Sequence, residues 1–240
     1  MSAEAHLVFL IHSPMQAWGA SSRFPRRDTP PHPTKSGIIG MVAAALGIDK
    51  FSKTEAEELE PLRQLKLSTY AIPRRDRWGN NLPVNRLQDF HTIGGGFDAK
   101  NPAEKEHLPR KAGGGSSSNA VITRRDYLLD SCFLIALTGD PETLEKIPPA
   151  IANPKWGTWL GRKCCIPSLP IVAEKGIDLQ VLADKVLEKT GLNPAPLESF
   201  DRTLEEGGNG AFGQLDQPAA YAARDYQTRT IRRFPAKSMT

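Results

Sequence analysis

The sequence predicts an α+β fold, with helices on one face of an antiparallel sheet in a ferredoxin-like arrangement. Three segments carry this prediction. Residues 6–11 form a short apolar run of β-favouring residues, and residues 132–137 form a second one. Between them, residues 37–46 are almost entirely apolar and are followed by Gly47, which is typical of a buried helix. Strands and helices that alternate in this way favour a two-layer sandwich.

The remaining elements extend the same pattern along the chain. A polar loop at 12–34 separates the first strand from the helix, because Ser13-Pro14 ends the apolar run. A charged helix follows around 54–65 and is shortened or bent by Pro61. A strand at 65–72 and a short helix at 141–152 complete a β-α-α-β-insertion-β-α order.

Residues 74–120 differ in character from the segments on either side. They contain two glycine triplets and a run of three serines, and they offer little that fills a core. This composition predicts an extended, protruding hairpin with a mobile tip. We therefore predict one domain from 1–73 and 121–152, an insertion at 74–120, and a smaller, β-rich C-terminal region at 153–240.

The C-terminal region contains one clear helical pattern, over residues 178–190. Its apolar positions recur at helical spacing and predict one buried stripe. The stripe consists of Leu179, Leu182, Val186 and Leu187.

The charge of the chain is mildly basic, and its distribution is more informative than its sum. Lys plus Arg is 31 and Asp plus Glu is 27, which gives a formal charge of +4. The tripeptide Arg-Arg-Asp occurs at 26–28, 74–76 and 124–126. Paired guanidinium groups suit bidentate phosphate contacts, and salt-bridged turns explain any single pair equally well.

The cysteines and the apolar runs indicate a cytoplasmic soluble protein. The three cysteines, two of them adjacent, do not form a disulfide framework, which fits a reducing compartment. No stretch approaches the ~18 apolar residues of a membrane span, and the N-terminus lacks the pattern of a secretory signal.

The start of the first predicted helix is a candidate anion site. Lys35 and Ser36 lie where backbone N–H groups and the helix dipole favour a phosphate. Ordinary capping by Thr34 or Ser36 explains the same residues. A P-loop is excluded, because no glycine precedes Lys35 at the required spacing.

Six segments, in order along the chain, together resemble the CasD family of type I-E Cascade, the CRISPR surveillance complex. Each segment alone is a weak signal, but six in one order are specific, and they run from residue 7 to about residue 170. The segments are SPMQAWG (13–19), SRF (22–24), PTKSGIIG (33–40), DFHT (89–92), TRRDYL (123–128) and WLGRKC (159–164).

The resemblance implies an RRM-like domain in a non-catalytic, RNA-binding subunit that needs no cofactor. Members of the family hold the 5′ handle of the guide RNA and contact the backbone subunit and the large subunit, with target DNA nearby. A β-hairpin called the thumb leaves their RRM-like domain, and the insertion at 74–120 falls at that position. Because the stacking signature of RRM sheets is absent here, we expect this sheet not to stack bases in the usual manner.

The loop after the first strand combines groups that bind single-stranded RNA. Gln16 can both donate to and accept from a base edge, and Arg23 and Arg27 can hold phosphates. Trp18 is a candidate for base stacking, although burial in the core explains it as well.

A second group of candidates lies at the root of the predicted hairpin. Arg86 stands at one end of the insertion, and Arg124 and Arg125 stand at the other, so pairing would concentrate guanidinium charge there. Arg162 and Lys163 form another cationic corner, for which a turn packed on a tryptophan is an equal alternative.

An alternative function, a metal-independent endoribonuclease that processes precursor CRISPR RNA as type I-C relatives do, would require a general base. His91 is the candidate for that base, with assistance from Tyr127 or Lys35 by proton transfer or charge stabilisation. A lone histidine does not define a site, and a hinge or an RNA contact at His91 fits better. The histidines are dispersed and no Cys/His spacing matches zinc, so we predict no metal site. A third reading is a protein–protein adaptor whose arginines form salt bridges.

Overall fold

The fold is given by a computed structural model that describes residues 4–19, 26–98, 100–109, 115 and 120–237. Within these residues the strands are β1 (Ala5–Gln16), β2 (Arg26–Arg27), β3 (Lys66–Ile72), β4 (Asn85–Ile93), β5 (Val121–Gly139), β6 (Ala173–Gly176), β7 (Asp201–Leu204), β8 (Phe212–Ala220) and β9 (Asp225–Phe234). The α-helices are α1 (Lys35–Leu46), α2 (Glu55–Gln64), α3 (Pro102–Lys105), α4 (Pro141–Glu145), α5 (Ile147–Ala152) and α6 (Leu179–Lys189).

One large sheet organises the described chain. Its strand order is β6-β1-β5-β3-β7-β9-β8, with β2 and β4 both paired to β5. Among the described residues, the pairings along this order are antiparallel, and only β2 pairs in parallel with its neighbour. The predicted α+β class is therefore confirmed in its coarse form: helices accompany a largely antiparallel sheet.

Both faces of the central strands are covered. Alternate residues of β1 belong to two separate cores: Leu7, Phe9 and Ile11 pack with α1, α2, α4 and α5, whereas Val8 and Leu10 pack with α6. The expectation of helices on a single face is wrong for this reason, since a strand that is apolar at every position must be buried on both sides.

The first and longest strands run further than the sequence indicates. β1 continues through Pro14, and β5 extends the predicted run at 132–137 into one element of 19 residues. Pro14 lies opposite Asp130, between the registered pairs on either side. Proline has no N–H to offer the ladder, and Asp130 adopts a positive φ of 46°, which aspartate tolerates better than most residues.

The first half of β5 pairs with β4 to form a hairpin that extends beyond the core strands. The ladder runs from Asn85 opposite Leu129 to Ile93 opposite Val121. The second strand of this hairpin is the first half of β5, so it begins after residue 120, where the predicted insertion ends, and continues into the core. In the segment between β4 and β5, Leu108 follows α3 and is buried. The predicted mobile tip, residues 113–118, lies outside the described residues except for Gly115.

The C-terminal region continues the same sheet. β7 pairs with β3, and β9 links β7 to β8. The predicted helix is confirmed as α6, whose Leu182, Val186 and Leu187 are buried. The single helix predicted at 141–152 is instead two short helices, because two prolines at 148–149 cannot donate hydrogen bonds to the preceding turn. None of the described helices is both long and apolar enough to span a membrane.

Candidate functional site

Gln16 and Trp18 are core residues. The Trp18 ring is fully buried, and its indole Nε1 donates to Gln16 Oε1 at 3.1 Å. The Gln16 amide nitrogen donates to the Ser131 carbonyl at 2.6 Å, so this amide is satisfied at both ends. Neither side chain reaches solvent. The prediction that they contact RNA is therefore corrected: both have a structural role. Arg23 lies outside the described residues.

Lys35 is also buried, which corrects its prediction as a phosphate ligand. Its Nζ donates to Glu205 Oε1 at 2.9 Å and to Gln217 Oε1 at 3.3 Å. Burial lowers the pKa of Lys35, although the neighbouring Glu205 carboxylate opposes that shift. The ammonium is therefore engaged within the protein and is not presented to a ligand.

A buried ion network fixes the C-terminal strands to the start of α1. Asp216 accepts two hydrogen bonds from Arg229, at 2.6 and 3.0 Å, and a third from the backbone N–H of Lys35 at 2.8 Å. Glu205 accepts from Arg229 as well. Thr34 caps the helix by accepting from the Gly37 N–H. The capping alternative is thus what the structure shows at this helix start.

Two of the three Arg-Arg-Asp motifs lie side by side on neighbouring strands. β2 pairs with β5 in parallel, with Arg26 opposite Arg124 and Arg27 opposite Arg125. Both residues of β2 are exposed, and Arg124 is exposed as well. We call these four arginines the arginine band. Arg26 is paired with Asp28 at 2.8 Å, as the salt-bridge alternative predicts, so the charge that favours an anionic partner is that of the other three arginines.

Arg162 ties the two strands of the arginine band together. Its guanidinium donates to the carbonyl of Arg27 at 3.1 Å and to the carbonyl of Asp126 at 3.2 Å. It also lies over the Tyr127 ring, 4.5 Å from the centroid. The preceding Gly161 has a φ of +94°, and a Cβ there would lie 1.7 Å from the carbonyl oxygen of Ala17. Only glycine fits at this turn.

An open cleft of about 1240 Å³ adjoins the arginine band at Arg27. It lies between α1, the loop around residues 155–163 and the β8–β9 turn. Cationic and aromatic side chains dominate its lining, and Asp49 is the one carboxylate among the lining residues. The cations are Arg27, Lys50, Lys155, Lys163 and Arg224, and the aromatic residues are Phe51, Trp156, Trp159, Tyr221 and Tyr226.

Several of these aromatic rings are accessible. Phe51 is 77 % exposed and Trp156 is 41 % exposed, which is unusual for such large apolar side chains. The Lys163 ammonium lies 5.5 Å from the Trp159 ring centroid. Ser36 reaches the same cleft, and its carbonyl accepts from the Tyr221 hydroxyl at 2.6 Å.

The hairpin carries the remaining predicted residues, on two faces. Arg86 and Arg124 share one face with the exposed Phe90, because their positions alternate in the ladder with those of the other face. The Arg86 guanidinium donates to the Thr29 carbonyl at 2.8 Å. Arg125 lies on the opposite face, so the hairpin root does not concentrate all of its cations on one side.

His91 and Tyr127 share a face but are far apart. His91 pairs with Thr123, and Tyr127 lies four residues further along β5. At about 3.3 Å per residue this is a separation of roughly 13 Å. Burial raises the pKa of the Tyr127 hydroxyl, which lies 3.8 Å from the Cys164 sulfur. In the described part of the chain, no three His, Cys, Asp or Glu side chains are grouped as metal ligands.

The arrangement as a whole suits a single-stranded nucleic acid. Guanidinium and ammonium groups hold phosphates, and exposed aromatic rings stack on bases. Arg27, Ser36 and Lys163, which the sequence predicts as RNA contacts, line the cleft. The exposed aromatic residues of the cleft, Phe51 and Trp156, are not among the predicted contacts. The available signal was Lys155-Trp156 close before Trp159 and Lys163, an interleaving of cations and aromatic residues.

Comparison with known proteins identifies the family. The model of the CRISPR-associated protein family Cas_Cas5 matches residues 6–238. The chain belongs to this family. The match covers nearly the whole chain, including the C-terminal strands that carry no recognisable motif.

Two kinds of relative agree with this assignment. The chain is 28 % identical over 170 residues to the Cascade subunit CasD of Escherichia coli K12, which covers 70 % of this chain and 69 % of CasD. The resemblance to CasD that the six motifs indicate is therefore confirmed. A chain of a solved CRISPR RNA-guided surveillance complex superimposes with a TM-score of 0.68 at 28 % identity, covering 96 % of this chain and 90 % of that one. A crystal structure of a Cas protein gives 0.59 at 26 % identity, covering 96 % and 94 %.

Proposed function

We propose that this Cas5-family protein is a guide-RNA-binding subunit of a CRISPR surveillance complex. The observation that carries the proposal is the cation-rich, aromatic cleft, which adjoins the arginine band at Arg27. The likeness to CasD and to a chain of a surveillance complex supports the same assignment.

The core strands act as an RRM-like domain in this proposal. Support comes from the order β6-β1-β5-β3, in which helices connect β1 to β3 and β5 to β6, as in a split β-α-β sandwich. Because α6 covers the sheet face opposite α1, RNA binds at the edge of the domain and not on the sheet. The β4–β5 hairpin takes the place of the thumb.

Within the complex, the subunit caps the 5′ handle of the guide RNA. It contacts the backbone subunit and the large subunit, so target DNA lies nearby, and it works in the cytoplasm. The cleft holds splayed handle nucleotides through its aromatic rings, and the arginine band holds the phosphates that lead to the hairpin.

The subunit holds RNA without cleaving it in this proposal. Metal-independent cleavage needs a base and an acid within reach of one phosphate, and the roughly 13 Å between the positions of His91 and Tyr127 does not favour that. An endoribonuclease is thus the contrasting outcome of the test, as is an adaptor that binds only proteins.

The test is to co-express the tagged chain with its genomic neighbours and a repeat-spacer array, and then to measure the mass and RNA content of the purified particle. We expect a large particle that contains guide RNA with a uniform 5′ end. The double variant Lys155→Ala/Lys163→Ala removes two cleft cations and should lower the amount of RNA per particle.

The matched control is Arg74→Ala/Arg75→Ala. It removes the same charge from the third Arg-Arg-Asp motif, which does not line the cleft, and should leave RNA retention unchanged. Recovery of the chain without RNA would contradict the proposal, and recovery with partners but no RNA would favour the adaptor. Discrete cleavage of labelled repeat RNA without metal, abolished in His91→Ala, would establish the endoribonuclease.

A further inference from the structure

Two neighbouring cysteines lie at the end of the turn that carries Arg162. The turn is closed by two backbone hydrogen bonds of 2.8 Å, from the Cys165 N–H to the Arg162 carbonyl and from the Leu160 N–H to the Cys165 carbonyl. In an extended chain, successive side chains point to opposite faces. Here the turn places both sulfur atoms on one side, so that the Cys164 and Cys165 Sγ atoms are 4.0 Å apart.

The two thiols differ in their access to solvent. Cys164 is exposed, whereas Cys165 is fully buried and packs in the core beneath the turn. Burial, reinforced by the neighbouring Cys164, raises the pKa of the Cys165 thiol to about 12. A reagent in solution therefore meets Cys164 first, and the group that Cys165 can attack is the one bound to the Cys164 sulfur.

Cys164 lies in cationic and polar surroundings. Lys163 precedes it in the chain, and its sulfur lies 3.8 Å from the Tyr127 hydroxyl. The Arg162 guanidinium lies over the same Tyr127 ring, 4.5 Å from the centroid. Exposed cysteines beside cationic groups are the ones that oxidants modify.

We propose that Cys164 and Cys165 form a reversible oxidation site, which a hydroperoxide converts into a disulfide between the two neighbouring residues. Cys164 gives up its proton and attacks one oxygen of the hydroperoxide; the O–O bond breaks, and the other oxygen leaves with that proton as water or an alcohol. The Cys165 sulfur then attacks the sulfenic sulfur of Cys164. The S–S bond forms, the S–O bond breaks, and the Cys165 proton leaves with the hydroxyl group as water. Two thiols are oxidised and one hydroperoxide is reduced, so a thiol reductant restores the pair.

The position of the pair makes such a disulfide easy to reduce. The sulfur atoms must approach from 4.0 Å to about 2.05 Å, and rotation of the exposed Cys164 side chain brings them together. Neighbouring Cα atoms are about 3.8 Å apart, which is below the usual range of about 4.4–6.8 Å for a disulfide. The bond is therefore strained, and the pair stays reduced unless an oxidant is present.

Oxidation acts on Arg162 through the turn. The strain falls on the peptide between Cys164 and Cys165, and the N–H of this peptide is the group that donates to the Arg162 carbonyl. Arg162 in turn links β2 to β5 through the carbonyls of Arg27 and Asp126. Closing the disulfide loosens this link and lowers the affinity of the arginine band for RNA. The effect on RNA alone rests on the proposed function.

The test treats the reduced, full-length chain with hydrogen peroxide and measures the mass of the intact protein and of its peptides. We expect a product lighter by the mass of two hydrogen atoms, with the bond in the peptide that contains residues 164 and 165, and full reversal by dithiothreitol. Cys164→Ser should not form this product. Cys132→Ser is the matched control: it removes the third thiol and should form the product as the wild type does. In Cys165→Ser the sulfenic acid of Cys164 should persist and be trapped by dimedone.

Two further measurements follow the consequence for the turn. Hydrogen exchange of the Cys165 amide, observed by NMR, should be about tenfold faster in the oxidised chain, because its hydrogen bond is weakened. The oxidised chain should also bind labelled single-stranded repeat RNA about fivefold more weakly than the reduced chain. Cys164→Ser should show neither change after the same treatment.

Several results would overturn the proposal. These are an unchanged mass after treatment, the same product in Cys164→Ser, and oxidation of Cys164 to a sulfinic acid in place of the disulfide. An unchanged exchange rate or an unchanged RNA affinity in the oxidised chain would refute the effect on the turn. The mass and the exchange rate are measured without RNA, so failure of the RNA-binding proposal leaves them unaffected and the two proposals fail separately.

Discussion

Removal of Arg124 and Arg125 gives a quantitative test of the arginine band. Each phosphate neutralised on a single strand adds about 0.7 to the slope of log affinity against log salt. If both arginines contact phosphates, Arg124→Ala/Arg125→Ala should make that slope shallower by about 1.4. The ratio of wild-type to variant affinity should then fall by about sevenfold between 50 and 200 mM salt.

The measurement is fluorescence anisotropy of a labelled single-stranded repeat RNA, titrated with the full-length chain at several salt concentrations. The control is Arg74→Ala/Arg75→Ala, which removes the same charge at a motif where Arg74 is paired with Asp130 at 2.7 Å. Its slope should equal that of the wild type. Identical slopes for the band variant and the wild type would refute the phosphate contacts, and an equal change in the control would reduce the effect to net charge.

Three further perturbations test the interior of the fold. The pKa of His32 is about 6.5 in the unfolded chain and about 4 in the folded chain, so the free energy of unfolding should fall by up to about 3 kcal/mol as pH drops through this window. Urea unfolding at several pH values should show a weaker pH dependence of stability for His32→Phe. An equal pH dependence in the variant and the wild type would contradict the shift. Asp216→Ala removes the bidentate partner of the buried Arg229, which then keeps only Glu205, and should cost about 3 kcal/mol in the same assay. A loss below about 1 kcal/mol would mean that the network is not stabilising. Gly161→Ala places a Cβ against a backbone oxygen and should lower the melting temperature. It should also lower RNA affinity, because Arg162 follows directly and would be displaced. An unchanged melting temperature would contradict the close approach.

The core of the fold could be predicted because its segments are apolar at the period of their element. The runs at 6–11 and 132–137 are parts of β1 and β5, and the stripe at 178–190 is α6. The extent of the strands could not be predicted. Pro14 ends a strand by local rules, but here it stands opposite Asp130, where the ladder has no registered pair, so the strand continues.

The candidate site divides in the same way. The repeated Arg-Arg-Asp motif indicated the arginine band, but no local pattern shows that residues 26–27 and 124–125 are registered neighbours. Lys35 has the sequence context of an anion site, and its partner Glu205 is 170 residues away. A motif contains only neighbouring residues, so it cannot show an ion pair between residues so far apart in sequence. For this reason Lys35 resembles a phosphate ligand in the sequence, although its partner lies within the protein.

The aromatic residues that line the cleft could not be predicted as RNA contacts for a related reason. Trp156 and Phe51 are more than a hundred residues apart in sequence, and large apolar side chains are more often buried than exposed. Only the fold shows that both line one open cleft beside Lys155.

Photocrosslinking tests the central claim, that the cleft holds single-stranded guide RNA, most directly. Guide RNA that contains 4-thiouridine in its handle is incorporated into the co-expressed particle, irradiated and digested, and the crosslinked peptides are identified by mass spectrometry. We predict crosslinks at Phe51, Trp156 and Tyr226, with loss of the Trp156 crosslink in Trp156→Ala and retention of the others. Crosslinks confined to other surfaces of the chain, or none to this chain in a particle that contains guide RNA, would contradict the account.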